Sequence, residues 1–339
     1  MPNQVTLKPS DHVFTARAGE SILDAALREG FVISYGCRNG ACGTCKGKVI
    51  SGEVDYGSYQ TSALSDSEKR AGFALFCQAQ PRSDVVIECR EVGATRDIRI
   101  RTLPARVQKM ERLAADIMLV ELKLPASERL QFLAGQYVDI LLKDGSRRSF
   151  SMANAPHDDA VLQLHMRNYG GPFSTHVFSA MKTRDILRFE GPLGTFYLRE
   201  NTEKPAILLA SGTGFAPVKA ILEHAFHSHC SRPLLLYWGA RTRADLYMND
   251  LVECWTREHN NFKYVPVLSA PLPADQWNGR TGLVHQAVIK DMADMSGCQV
   301  YACGVPVMVE SARRDFIAQC GLPESEFFSD AFTPATPAA

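Results

Sequence analysis

Short runs of alternating hydrophobic and polar residues dominate the first ninety positions of the chain. Residues 5–8 and 12–15 alternate on either side of a turn and predict a β-hairpin. Residues 20–29 place their apolar side chains on one helical face and predict a helix. Residues 85–89 then predict a closing strand. We therefore expect a small mixed α+β domain over residues 1–92.

The next hundred residues repeat the strand pattern without a long helix. Turn signals such as Asp144-Gly145 and Gly191-Pro192 separate the short runs. This pattern predicts an antiparallel barrel or sandwich over residues 102–200, after a polar linker at 93–101. The strands are expected at 105–109, 118–123, 137–142, 148–151 and 162–166.

After residue 205 the pattern changes to apolar strands that alternate with helices of ten or more residues. This alternation predicts a parallel sheet with crossover helices over residues 201–332, followed by a small-residue tail at 333–339. Strands are expected at 206–210, 234–238, 264–268 and 300–302, and helices at 218–227, 246–258 and 307–318.

Composition narrows the possible functions. Lys plus Arg and Asp plus Glu each number 37, so no basic excess points to nucleic acid. The apolar runs are shorter than the roughly 20 residues that span a bilayer, which argues against membrane insertion. The N-terminus shows no secretory signal, so a cytoplasmic location is expected. Ten cysteines in such a chain then need a chemical explanation.

Four of these cysteines have the spacing of a metal centre. Cys37, Cys42 and Cys45 fall within nine residues, and Cys77 follows later, which is the C-x4-C-x2-C…C pattern of plant-type [2Fe–2S] sites. Two sulfide-bridged irons need four thiolates, and a glycine-rich loop lets backbone amides approach the sulfurs. A zinc site would show two paired knuckles, and a thioredoxin-like motif would leave Cys37 and Cys77 unexplained.

Two short segments of the β-rich region suit a flavin diphosphate. Arginine and a helix N-terminus both supply positive charge and hydrogen-bond donors, an aromatic ring can cover the flavin, and a serine hydroxyl can orient hydride arrival. Each of these motifs alone is a weak signal for a flavin site. Their order along the chain and their place in a β-rich region strengthen the interpretation. The candidates are Arg148, Phe150 and Ser151, with Arg167, Gly170, Gly171 and Ser174 further on.

The parallel-sheet region carries a glycine-rich turn suited to a dinucleotide. Gly212, Thr213 and Gly214 follow a strand and precede a helix with Pro217 near its start, so backbone amides and the helix dipole can receive a pyrophosphate. The turn is not the Gly-x-Gly-x-x-Gly fingerprint, which disfavours an ordinary Rossmann dehydrogenase. Further candidates lie at later strand ends, where open α/β sheets bind ligands: Trp238, Gly239, Arg241, Cys303, Gly304 and Met308.

Taken together, these motifs resemble the ferredoxin–NADP reductase superfamily over the whole chain. More narrowly, the chain resembles the reductases that carry an N-terminal plant-type ferredoxin domain. These proteins serve benzoate, toluene, phenol and methane oxygenases and the deoxysugar dehydratases. The loop 35–48 and the ending 328–332 look closest to the dehydratase group, the CDP-6-deoxy-4-hexulose-3-dehydrase (glucoseen) reductases. It implies a β-grasp ferredoxin domain, an antiparallel Greek-key β-barrel flavin domain and a parallel-sheet α/β nicotinamide domain.

The resemblance also implies roles for particular residues. It implies FAD on the Arg148–Ser151 segment, with Ser151 and Cys303 as catalytic residues at the flavin and the nicotinamide, and an aromatic shield for the flavin. The family often has Tyr where this chain has Phe150, and the chain continues for seven residues past Phe332, the candidate shield. FMN stays open as an alternative to FAD.

The function implied is electron transfer from NAD(P)H through the flavin and the [2Fe–2S] cluster to a separate oxygenase component or sugar dehydratase. NADH is favoured over NADPH, because Arg243, the candidate for a 2′-phosphate, is more simply a solvated arginine. Two alternatives remain: a diaphorase that reduces oxygen or a small molecule without a protein partner, and a non-catalytic iron–sulfur redox sensor.

Overall fold

A computed structural model describes residues 2–89, 91–92 and 98–332 of the chain. The chain divides into two compact units, Met1–Arg99 and Ile100–Ala339. Most of the predicted linker (93–97) and the whole predicted tail (333–339) lie outside the described residues. Residues 98–100 belong to no strand, and the first strand of the second unit begins at Arg101. The domain boundaries read from the sequence therefore stay predictions.

The first unit is a mixed five-stranded sheet with the order β2-β1-β7-β3-β5 and a helix packed against it. The predicted hairpin and helix are both present; Ser21 caps the helix by accepting the Asp24 amide at 3.1 Å. The elements are β1 (Asn3–Lys8), β2 (His12–Ala16), α1 (Ile22–Arg28), β3 (Lys46–Ser51), β4 (Val54–Asp55), α2 (Asp66–Arg70), β5 (Phe73–Leu75), β6 (Gln80–Pro81) and β7 (Val85–Glu88).

The second unit begins with a six-stranded antiparallel sheet of order β11-β10-β13-β8-β9-β12. Its two outer strands meet through a bridge between Met152 and Leu164, which closes the sheet into the expected Greek-key barrel. The elements are β8 (Arg101–Ala114), β9 (Ile117–Lys123), β10 (Tyr137–Leu141), β11 (Arg147–Ser151), β12 (Leu162–Arg167), α3 (Pro172–Ser179) and β13 (Ile186–Leu193).

The prediction of a turn at Gly191-Pro192 is wrong. Both residues belong to β13, at the place where its register with β10 shifts between Tyr137 and Asp139. Proline has no N–H to donate to a ladder, so a bulge of this kind is one of the few interior positions that accept it. The same misreading concealed β13 from the sequence analysis.

The rest of the second unit is a six-stranded sheet of order β17-β16-β15-β14-β18-β19, in which every pairing is parallel. Ala206 to Ala210 of β14 are completely buried, as expected of a central strand covered by helices on both faces. The elements are β14 (Ala206–Ser211), α4 (Phe215–His227), β15 (Leu234–Ala240), α5 (Asn249–Glu258), β16 (Phe262–Leu268), β17 (Arg280–Thr281), α6 (Val284–Asp291), β18 (Gln299–Gly304), α7 (Pro306–Cys320) and β19 (Phe327–Ala331).

The strand order of this sheet reverses direction next to β14. The chain adds β15, β16 and β17 on one side of β14 and then returns to add β18 and β19 on the other. The gap between the carboxyl ends of β14 and β18 is therefore a topological switch point, where open α/β sheets bind ligands. The strand β19, which the sequence analysis missed, extends the sheet on this side.

None of the helices within the described residues is long and apolar enough to cross a membrane.

Candidate functional site

The four predicted cluster cysteines come together as two pairs of thiols. Cys37 and Cys42 lie in the loop after α1, where the side chain of each shifts the pKa of the other's thiol. Cys45 directly precedes β3 and pairs in the same way with Cys77, which lies in the turn between β5 and β6. The tertiary fold thus brings Cys77 to the loop that carries the other three.

Backbone amides around this loop donate to the sulfurs. The pKa of Cys37 is lowered to about 7, first by the Cys42 thiol and then, against burial, by the amides of Asn39 and Ala41. The amide of Cys37 donates in turn to Sγ of Cys42 at 3.4 Å. The pKa of the Cys77 thiol is lowered first by the Cys45 side chain and then, against burial, by the amide of Gly40. Amides aimed at sulfurs favour thiolates and a negatively charged metal centre.

Gly40 shows why the loop tolerates no larger residue at this point. It has a φ of +75°, and a Cβ there would lie 2.6 Å from the backbone oxygen of Ser58. The loop therefore packs its backbone directly on the segment that precedes α2. This close approach leaves the Gly40 amide directed at Cys77, and the donor set fits an iron–sulfur cluster.

The arrangement differs from a site for a single ion. Within the described residues, no three His, Cys, Asp or Glu side chains are placed to hold one metal ion. A tetrahedral zinc site needs all four ligands around one point, whereas in a sulfide-bridged two-iron cluster each iron takes only two thiolates. Two separate thiol pairs suit the second case.

The predicted flavin strand is β11, an outer strand of the barrel. Arg148 is half-buried and donates to the neighbouring Arg147 carbonyl at 2.8 Å. The ring of Phe150 lies 5.9 Å from that of Phe173 in α3. Ser151 is buried, and its hydroxyl lies 3.5 Å from Oδ2 of Asp330 in β19. The strand thus links the barrel to the switch-point edge of the parallel sheet.

The predicted diphosphate segment forms the start of α3. Gly171 occupies the N-cap position, and no side chain among the described residues caps this helix end. The hydroxyl of Ser174 lies within the first turn and contacts Asn168 and the Gly171 carbonyl, while Gly170 is exposed and donates its amide to Asn168. The free amides of an uncapped helix start suit a phosphate.

Arg167 is engaged differently from the other flavin candidates. Its guanidinium is mostly buried and forms ion pairs with Asp116 at 2.7 Å and with Asp245 at 3.0 Å. Asp116 belongs to the barrel, while Asp245 follows β15 of the parallel sheet. The structure thus places Arg167 as a link between these two parts of the second unit, and its contact with a flavin stays a prediction.

The glycine-rich turn and the β18 strand end meet at the switch point. Gly212 to Gly214 form a single 3-10 turn between β14 and α4, and within the part of the chain that the structure describes no side chain caps the start of α4. A Cβ on Gly214 would lie 2.2 Å from the backbone oxygen of Cys303. Ser211, which the sequence analysis did not single out, accepts the Val305 amide at 3.1 Å and ties the two strand ends together.

The prediction that Trp238 contacts a nucleotide needs correction. Its side chain has no exposed surface, because the indole stacks on Phe215 at 3.9 Å. Its Nε1 donates instead to the Gly212 carbonyl at 3.2 Å. Trp238 therefore supports the glycine-rich turn from behind, and the hydrophobic pattern of β15 could have indicated this burial.

The remaining nucleotide candidates differ in exposure. Arg241 is largely exposed, with its Nε 3.7 Å from Asp245. Cys303 is completely buried, and burial, followed by the nearby Asp330, raises the pKa of its thiol. Phe332 is half-buried, and its amide donates to the Gly304 carbonyl at 2.8 Å. Pro217 and Met308 are buried at the starts of α4 and α7, and Gly239 is half-buried at the end of β15.

Cys303 contacts a nicotinamide only if a covering group moves, since it has no exposed surface. Its immediate neighbours nevertheless fit that role. Cys303 pairs in register with Asp330, and Asp330 lies beside Ser151 of the flavin strand. The structure thus brings Ser151, Cys303 and Asp330 together beside the ends of β18 and β19 in the parallel sheet. Asp330 lies within the 328–332 ending singled out above, but nothing in the sequence identifies Ser151 as its partner.

Comparison with protein families matches three successive parts of the chain. The model described as a 2Fe-2S iron-sulfur cluster binding domain matches residues 5–82. The oxidoreductase FAD-binding domain matches residues 104–197, and the oxidoreductase NAD-binding domain matches residues 208–314. These matches confirm the expected fold class and the cofactor set of a 2Fe-2S cluster, FAD and a nicotinamide dinucleotide.

Full-length relatives share this organisation. The CDP-6-deoxy-L-threo-D-glycero-4-hexulose-3-dehydrase reductase of Yersinia pestis is 40% identical over 336 residues, which cover 99% of this chain and 100% of that protein. The aromatic O-demethylase reductase subunit of an Amycolatopsis species is 37% identical, covering 94% of this chain and 95% of that protein.

A solved structure shows the same fold. The crystal structure of the Amycolatopsis cytochrome P450 reductase GcoB superposes with a TM-score of 0.81 at 35% identity and covers 98% of this chain and 100% of that one. The resemblance read from the sequence is thereby confirmed. The chain belongs to the family of NAD(P)H-dependent electron-transfer reductases in which a 2Fe-2S domain, an FAD-binding barrel and an NAD-binding domain follow one another on one polypeptide.

Proposed function

We propose that this chain is the reductase of a two-protein system, in which it takes electrons from NADH and delivers them to a separate deoxysugar dehydratase or oxygenase component. The observation that carries the proposal is the presence of two thiol pairs and a flavin–nucleotide switch point in one polypeptide. The full-length identity to a dehydrase reductase supports the dehydratase as the first acceptor to test.

Each cofactor has a set of residues that suits it. Cys37 and Cys42 would hold one iron, and Cys45 and Cys77 the other. Arg148, Phe150 and Ser151 would hold the flavin, with its diphosphate at the start of α3. When bound, the nicotinamide supplies a hydride, the flavin accepts two electrons and releases them singly, and the cluster carries one at a time.

The chain's own residues position these groups and protect them. The amides of Gly212 to Gly214 and of the first turn of α4 would bind the dinucleotide pyrophosphate. Ser151, hydrogen-bonded to Asp330, would hold its hydroxyl toward the reacting edge of the flavin. Phe332 covers part of the hydrophobic core beside β18 and would exclude water there.

A carboxylate near the adenosine end supports NADH as the donor. Asp275, in the loop after β16, accepts the amide of Arg243 at 3.2 Å and that of Leu272 at 2.9 Å. The Asp275 carboxylate thus lies against the backbone of Arg243, the candidate for a 2′-phosphate, and its negative charge would repel that phosphate. The loop containing Asp275 is tied to the end of β15, since Ser269 donates its amide to the Ala240 carbonyl at 2.9 Å.

The Asp275→Asn variant tests this preference, because the amide keeps an acceptor for both backbone N–H groups while losing the charge. We expect kcat/KM for NADPH to rise about tenfold relative to NADH. Glu203→Gln is the matched control: it removes an equal charge just before the amino end of the central strand β14, away from the carboxyl ends of the strands, and should leave the ratio unchanged. An unchanged ratio in Asp275→Asn would refute the role of this carboxylate.

Anaerobic stopped-flow absorbance tests the function as a whole. We expect NADH to bleach the flavin band first and the cluster bands afterwards, and added dehydratase or oxygenase component to reoxidise the cluster. Turnover with oxygen alone, undiminished when the cluster is removed, would favour the diaphorase instead. No spectral response to NADH or NADPH would favour the redox sensor.

We also place the protein in the cytoplasm. None of the ten cysteines forms a disulfide in the structure, which suits a reducing compartment. Fractionation of the native host, with the chain followed by antibody, tests this assignment.

A further inference from the structure

The strand β12 has two faces with different surroundings. Leu162, Leu164 and Met166 point into the hydrophobic core of the barrel. His165 and Arg167 alternate with them and contact residues of the parallel-sheet region instead, namely Tyr247 and Asp245. The outward face of β12 is therefore a contact surface between the barrel and the nucleotide-binding region of the same unit.

The contact between His165 and Tyr247 is a buried polar pair. Nδ1 of His165 lies 2.9 Å from the Tyr247 hydroxyl, and the rings meet edge to face at 83°. His165 is 5% exposed, and its Nε2 is buried with no hydrogen-bond partner in the part of the chain that the structure describes. A buried polar contact of this kind is costly to break, because it leaves its partner unsatisfied.

Tyr247 continues the contact to the glycine-rich turn. Its ring meets the indole of Trp238 edge-on at a centroid distance of 5.3 Å, and it meets the phenyl ring of Phe215 at 6.0 Å. Trp238 then donates to the Gly212 carbonyl at 3.2 Å. An unbroken series of contacts thus runs from β12, through Tyr247 and Trp238, to the turn at Gly212.

We propose that His165 and Tyr247 form a positioning pair, which sets the Gly212–Gly214 turn and the nicotinamide nucleotide bound there against the flavin held on the barrel. The inference rests on the proposed function of both sites. Hydride transfer depends steeply on the distance and alignment of the reacting atoms, so a small shift of the turn relative to the barrel slows it. Neither residue is assigned a contact with the substrate.

The Tyr247→Phe variant tests the pair, because it deletes only the hydroxyl and keeps the ring against Trp238. We expect the limiting rate of flavin reduction at saturating NADH to fall about tenfold, while the Kd for NADH changes less than about twofold. The primary isotope effect with NADH deuterated at the transferred position should rise, because the hydride step becomes more rate-limiting.

Tyr264→Phe is the matched control. The Tyr264 hydroxyl donates to Asn249 at 2.9 Å, so its hydrogen bond stays within the nucleotide-binding region. We expect a loss of thermal stability similar to that of Tyr247→Phe but an unchanged limiting rate. Equal rate losses in the two tyrosine variants would overturn the proposal, and so would a wild-type rate in Tyr247→Phe.

A double-mutant cycle with His165→Leu tests whether the two residues act together. We expect the double variant to be no slower than the slower single variant, because either change already breaks the pair. Losses that multiply in the double variant would overturn the pairing. Flavin reduction by NADH in the wild type distinguishes failure of the proposed function from failure of the positioning role. If the wild type is not reduced, the proposed function fails, and the positioning role fails with it.

Discussion

The cluster loop and the nucleotide switch point hold their chemistry in different ways. In the loop, three of the four cysteines lie within nine residues, and only Cys77 is brought from elsewhere. At the switch point, Ser151, Ser211, Cys303 and Asp330 come from four separate strands or strand ends. The loop is a local motif, whereas the switch point exists only after the barrel and the parallel sheet have formed.

This difference predicts how each site fails. A substitution in the loop should remove one centre and leave the other intact, because its ligands depend on few distant contacts. A substitution at the switch point should disturb the alignment of several groups at once. The following variants test that distinction in order of expected effect.

Cys42→Ser should have the largest effect. Loss of one thiolate should prevent cluster assembly and lower NADH-driven reduction of a one-electron protein acceptor about 100-fold or more. Flavin reduction by NADH should stay within about twofold, since the two units are separately compact. Cys89→Ser is the control, because Cys89 lies in the same unit and burial raises the pKa of its thiol to about 12. Loss of flavin reduction in Cys42→Ser would show that the sites are not separable.

Gly214→Ala should show the reverse pattern: it should impair flavin reduction by NADH and spare the cluster. The new Cβ would lie 2.2 Å from the Cys303 carbonyl oxygen, so the ends of β14 and β18 must move apart. We expect flavin reduction by NADH to fall about 100-fold, with about 2 kcal/mol of lost stability. The absorption of the cluster should persist. Gly297→Ala, in the same sheet region, meets no atom within 4 Å and should behave as wild type; a similar loss there would point to general destabilisation.

Ser151→Ala should have a smaller effect on the same step. It removes the hydroxyl that lies beside Asp330, so we expect about a tenfold lower limiting rate of flavin reduction. Ser149→Ala, two residues away on β11, removes a hydroxyl that donates to Asp139 of β10 at 2.6 Å. That control should change the rate less than about twofold, and a comparable loss in both variants would contradict the role of Ser151.

The last prediction concerns acid stability. Burial, followed by the charge of Lys219, lowers the pKa of His165 to about 3. The neutral imidazole therefore stabilises the fold above the ordinary histidine pKa of about 6.5, and this contribution is lost as the pH falls from there toward 3.

Between pH 6.5 and 5 the loss should approach about 1.4 kcal/mol per pH unit, because unfolding takes up close to one proton at this site. Thermal midpoints over this range should fall less steeply in His165→Leu than in the wild type. An equal slope in the two proteins would show that His165 is not buried as a neutral group.

The cysteine spacing, the glycine-rich turn and the alternation of strands and helices were sufficient to predict three domains and their cofactors. These features are local: ligand spacing in a loop, the period of a strand, and the start of a helix are each set by neighbouring residues. The match of three family models in the expected order reflects this.

The errors arose where a residue's role depends on distant partners. Gly191-Pro192 has the composition of a turn, but its place at a register shift against β10 makes it part of a strand. Trp238 lies at a strand end where ligands bind, but Phe215 and Tyr247 bury it completely. These partners belong to other elements of the fold, so a local pattern can indicate that Trp238 is buried but cannot identify the residues that cover it.

The sequence by itself determined which chemistry the chain can support, because thiolate ligands, amide-rich turns and strand periods are written in short segments. The tertiary structure decided which groups face one another: the pairing of Cys45 with Cys77, the approach of Ser151 to Asp330, and the contact of His165 with Tyr247. These pairings follow from sheet order and barrel closure, which depend on packing over the whole domain.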